Sequence, residues 1–129
     1  MKSKLDQIEA QLQTFIEKSM LLFPWGNRRN VLASQLVEAL QNSMDQGSDG
    51  SLIAPSVYTI YISPDNLEFW KSQQEIINSL AAILQNAALE NDVRFEQSPV
   101  IHLSADPNLL PDEISVTTET VSNQMGHTA

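Results

Sequence analysis

Leu52-Ile53-Ala54-Pro55-Ser56-Val57-Tyr58-Thr59-Ile60-Tyr61-Ile62-Ser63-Pro64-Asp65 is the one run of this 129-residue chain dense in β-branched and aromatic residues. Val57 to Ile62 has the composition of a strand buried on one face at least and, by its apolar density, on both. Pro55 has no N–H to give to a sheet ladder, so pairing is expected to begin after it. Ser63-Pro64-Asp65 stops the strand and opens a helix, with Ser63 placed to cap and Pro64 suited to the first helical position. The run marks a fold. It names no chemistry.

Upstream of it the chain reads as helix. Leu5, Ile8, Leu12, Phe15, Ile16, Leu22 and Phe23 fall on one stripe, predicting an amphipathic helix from Lys4 to Phe23, capped by Ser3 and ended by Pro24 and Gly26. The stripe is too wide and irregular for a heptad seam, so it is expected to pack on its own domain. A second helix is predicted from Asn30 to Asp45, with Asn27 or Asn30 as cap and Leu32, Leu36, Ala39, Leu40 and Met44 as its apolar face. Gln46 to Ser51, rich in glycine and serine, reads as a mobile connector. It fits neither a P-loop nor an EF-hand.

Downstream, Pro64 to Asn91 reads as one long apolar helix with a candidate break near Lys71-Ser72. Val93 to Leu103 is predicted to be the next strand, irregular at Pro99. Glu113 to Val121 alternates Ile114, Val116 and Thr118 against polar residues, a half-buried strand expected to form a hairpin with the one before it. The expected architecture is α+β: two N-terminal helices, then strand, helix, strand, strand, giving a small three-stranded mixed sheet covered by helices. Residues 1–121 are expected to form one domain and 122–129 a flexible tail or the start of a linker.

Composition narrows function mainly by exclusion. With no cysteine there is no disulfide, thiolate nucleophile or cysteine-bound metal. Sixteen acidic against seven basic residues give a net charge of −9. Nucleic-acid affinity rests on neutralising phosphates with Lys and Arg, so a small KH-like nucleic-acid-binding domain, the alternative in outline, is disfavoured. The charge serves solubility first; a basic partner surface is the sharper reading. No apolar run approaches the roughly 18 residues of a membrane span, so membrane insertion is not expected and a cytoplasmic setting is. The histidines are His102, inside a predicted strand, and His127, in the tail; neither has companions at metal-ligand spacing. No hydrolase, dinucleotide or metalloprotease motif occurs. A small hydrolase or metal-dependent enzyme would need acids or His102 gathered in a deep pocket. The expectation is no enzyme, no metal and no cofactor.

Two spots on the first connector are candidates for contact. Trp25, in Phe23-Pro24-Trp25-Gly26-Asn27, reads either as an exposed anchor for a partner or as a lid over the junction of two helices. Arg28-Arg29, the only adjacent basic pair, either balances nearby acids or forms a small anion-contacting spot.

The central run also resembles a family signature. Leu52 to Asp65 is similar to the Leu-x-Ala-Pro-Asn-x-Tyr-x-Val-x-Leu-Ser-Pro-x-Asp pattern of the N-terminal domain of bacterial FhaA-type proteins. The opening helix with Leu5, Ile8, Glu9 and Phe15, the segment Leu36 to Asp45, and Val100-Ile101-His102-Leu103 with the strand after it resemble that family's helices and closing hairpin. The likeness spans about residues 4 to 120. It implies a non-enzymatic regulatory or protein-interaction module of Ser/Thr-kinase signalling linked to cell-wall synthesis or division. The implied partner is a protein, a Ser/Thr kinase or a cell-wall or division component. Relatives carry a C-terminal forkhead-associated domain, and this sequence stops before one. Relatives also place Thr-Gly in the closing turn, where this chain has Leu110-Pro111-Asp112-Glu113, so no phosphosite is carried over. Thr117, Thr118 and Thr120 nearby are read as solvent-facing strand formers.

Overall fold

A computed structural model describes residues 4–23 and 31–119. The caps expected at Ser3, Asn27 and Asn30, and the tail expected from Ser122 to Ala129, lie outside those residues. The elements are α1 (Lys4–Ser19), α2 (Val31–Asn42), β1 (Asp45–Gln46), β2 (Leu52–Ala54), β3 (Val57–Ile62), α3 (Pro64–Ser72), α4 (Gln74–Glu90), β4 (Val93–Phe95), β5 (Val100–Ala105) and β6 (Ile114–Glu119). The fold is α+β, with its first two helices ahead of the sheets.

Strand β3 is the centre of a mixed three-stranded sheet of order β5-β3-β6, parallel to β5 and antiparallel to β6. Period-2 alternation sends Tyr58, Ile60 and Ile62 into the core and leaves Val57, Thr59 and Tyr61 half-buried. One face of β3 is therefore fully buried and the other partly covered. The expected hairpin between the last two strands does not form. β6 passes to the far side of β3, and the turn from Asp106 to Glu113 is long enough to carry it there. A second three-stranded sheet, β1-β2-β4, lies beside the first. Pairing thus starts before Pro55, at Leu52, and Val93–Leu103 is split between the two sheets.

Ser63 caps α3 as its position predicts: its Oγ accepts from the Asp65 N–H at 3.3 Å, and Pro64 opens the helix. The break between α3 and α4 falls at Gln73. Its N–H closes α3 on the Trp70 carbonyl, and its own carbonyl accepts from Ile76 and Ile77 to start α4. Asn91 then ends α4, its buried amide donating to the Ala87 carbonyl at 2.8 Å.

Helix α1 ends at Ser19 instead of Phe23. Ile8, Leu12, Ile16 and Met20 form its buried stripe, after which Leu21 and Leu22 turn outward, Leu22 to 89 % exposure. The chain turns so that Phe23 reaches inward, meeting Phe69 and Trp70 edge-on at 5.0 and 4.9 Å between ring centres. Helix α2 stops at Asn42 because Asp45 and Gln46 are taken into β1. Helix α1 packs on α2 and α4, α2 covers β6, and α3 and α4 cover β5. One apolar cluster joins all of these layers.

Candidate interaction cleft

Strands 52–62 and 93–105 run parallel with an interruption. Ala54 faces Phe95, and the next pair is Val57 with Val100, so Pro55-Ser56 lies opposite the longer excursion Glu96–Pro99. Pro55 and Pro99 are both buried and have no N–H to lose. Ser56 supplies the bridging bonds. Its Oγ donates to the Gln97 carbonyl at 3.2 Å and lies 3.4 Å from the Gln97 N–H, and its carbonyl accepts from Val100 at 2.9 Å. A side chain thus fills in where the ladder fails.

Over this break lies a cleft of about 420 Å³. The floor is Ile53 to Ser56; one wall is Ser43, Asp45 and the start of the β1–β2 turn, the other Glu96 and Gln97. The volume lies in the range of small-ligand and peptide side-chain pockets. Each wall carries one exposed carboxylate, Asp45 and Glu96, and among the described residues no Lys, Arg or His lines the space.

The turn that forms the first wall is rigidly built, in contrast to the mobile connector expected of Gln46–Ser51. Gly47 donates to Ser51 at 2.7 Å and Gly50 to Gly47 at 2.9 Å. Gly50 sits at φ +88°, a conformation that glycine adopts without strain. The Asp49 carboxylate accepts from the Ser51 hydroxyl at 2.7 Å and from its N–H at 3.0 Å. Those bonds, hydroxyl first, and the Arg94 charge at 3.8 Å hold the Asp49 carboxyl below its ordinary range. Arg94 also donates to Ser51 Oγ at 3.0 Å, tying β4 to the turn across β2. Asp49-Gly50 is a hairpin signal; its flanking strand, β1, has only two residues and shows no alternation to accompany it.

The elements through β6 match, over residues 5–117, the family described as "FhaA, N-terminal domain". The chain belongs to the FhaA N-terminal domain family. The match covers the span on which the resemblance was read from the sequence. A solved structure described as "Rv0020c_Nter structure" shares this FhaA N-terminal fold with a TM-score of 0.65 and 14 % identity, over 82 % of this chain and 78 % of that one. At such identity the likeness speaks for the fold. No curated protein matches the chain.

Within this FhaA N-terminal fold the residues singled out from the sequence do not converge. Trp25, Arg28 and Arg29 lie outside the described residues, although Phe23, next to them, is anchored in the core. His102 is exposed on β5. Among the described residues no three His, Asp or Glu side chains lie close enough together to hold a metal ion. Thr117 is exposed as expected and Thr120 lies outside the described residues; Thr118 is half-buried, its hydroxyl 2.8 Å from that of Ser43, so it helps fix the turn after α2 to β6 instead of facing solvent. In the closing turn, Glu113 accepts from the Leu110 N–H at 2.9 Å and Asn66 donates to the Pro111 carbonyl at 2.6 Å. No helix of the described residues is long and apolar enough to cross a membrane.

Proposed function

We propose that this chain is a non-enzymatic regulatory module that binds another protein within bacterial Ser/Thr-kinase signalling, in the control of cell-wall synthesis or division. The observation that carries this reading is membership of the FhaA N-terminal domain family across residues 5–117. The geometry supports binding: the cleft over the Pro55–Ser56 break is open, lined by amide, hydroxyl and carboxylate groups, and backed by a well-packed sheet. The partner is a Ser/Thr kinase or a component of the wall or division machinery, met in the cytoplasm.

The test is photo-crosslinking in cells from Gln46 and Gln97, one on each wall, with the exposed Lys18 on α1 as a distant control. Adducts from the two cleft positions should contain such a kinase, wall or division protein. Equal labelling from Lys18, or cleft adducts with unrelated proteins only, would sink the proposal.

A further inference from the structure

We infer that the cleft over the Pro55–Ser56 break docks an extended, lysine- or arginine-bearing segment of the partner protein. This rests on the reading of the domain as a protein-binding module and names the chemistry recognised. Asp45 and Glu96 stand on opposite walls, and among the described residues neither has an ion pair and no cation lines the space between them. The base closest in the sheet, Arg94, is already bonded to Ser51 and Asp49 across the turn, and so is not there to neutralise them. A segment with cationic side chains supplies the missing charge. The chain's net charge of −9 adds long-range attraction that would speed its approach.

Two further observations favour a peptide over a small cation. Among the described residues β1 is the outermost strand of its sheet, and its residues Asp45 and Gln46 line the cleft wall. An extended segment is the form of chain that reads such an edge, with alternate side chains entering the neighbouring hollow. Ser43, Gln46, Ser48 and Gln97 offer donors and acceptors for its main chain. A divalent cation, by contrast, takes six or more oxygens on converging carboxylates. Among the described residues Asp45 and Glu96 belong to no group of three potential metal ligands.

The experiment is an NMR titration of the isotope-labelled chain with a capped Ser-Arg-Val-Lys-Ser peptide and its Ser-Glu-Val-Glu-Ser counterpart. The basic peptide should shift the amides of Gln46 to Ser48, Ser56 and Gln97, and the acidic one should shift none. Either D45N or E96Q alone should weaken binding, and both together by roughly five- to tenfold, with the remaining spectrum unchanged. Added salt should weaken it further. Equal binding by the double variant, shifts centred on α1 instead of the cleft, or the same response to Mg²⁺ alone would each overturn the inference. If the peptide fails while in-cell crosslinks from Gln46 and Gln97 still reach a signalling partner, the charge recognition is wrong and the interaction module stands.

Discussion

Tyr58 carries its hydroxyl from β3 into the core, fully buried and, among the described residues, without a hydrogen-bond partner. A buried unpaired hydroxyl costs about 1–3 kcal/mol, so Tyr58→Phe should leave stability unchanged or raise it by about 1 kcal/mol in urea unfolding at neutral pH. Burial also pushes the Tyr58 pKa above its ordinary value of 10. The folded chain therefore keeps the phenol neutral where the unfolded chain ionises it. Stability from this group is fully present below pH 10 and falls as pH rises beyond that value. The variant should flatten the alkaline slope of the urea midpoint; an unchanged slope would mean that Tyr58 ionises freely in the fold. The conspicuous tyrosine of the central run was legible as a strand residue. Its orphan hydroxyl was not, because satisfaction depends on what packs opposite, and that comes from distant helices.

At the scale of elements, the long helices were readable because a 3.6-residue period repeats several times along them. The short strands were not. β2 and β4 have three residues each, fewer than alternation needs to declare itself, and the cleft they frame was hidden with them. The partner of β6 was misread for another reason: neighbours in sequence usually pair, but here the outer edge of β6 is matched by a side chain of α2. Gln35 donates to the Ile114 carbonyl at 2.8 Å and accepts from the Val116 N–H at 3.0 Å, standing in for a further strand. Gln35→Ala should strip both bonds and destabilise by about 1–3 kcal/mol. Gln35→Glu keeps the acceptor and loses the donor, and should fall between the two. If both variants unfold at the wild-type urea midpoint, water serves that edge equally well.

For the molecule as a whole, the core decides stability and the visible ion pairs do not. Lys4 pairs with Asp92 at 3.0 Å and the neutral Gln11 amide donates to Glu90 at 3.0 Å, tying α1 to the end of α4, but both contacts are exposed. Lys4→Ala should cost under about 1 kcal/mol. Leu12→Ala, in the fully buried stripe between α1 and its neighbours, should cost about 2–5 kcal/mol. Comparable losses from the two would place the attachment of α1 at its surface instead of its apolar face. The α+β class was visible from composition and period alone, and the family from the central run. The cleft lay at a junction that only the assembled sheets create.

The interruption at Ser56 has a consequence for how the chain finds its alignment. Paired residues are 41 positions apart before the break, as in Leu52 with Val93, and 43 after it, as in Val57 with Val100. Sliding one strand by two residues keeps every side chain on its proper face, which makes such a slip the hardest folding error for a buried parallel pair to reject. Here a slip that suits one ladder throws the other out of step. The two unequal offsets act together as a vernier, and only one setting satisfies both scales.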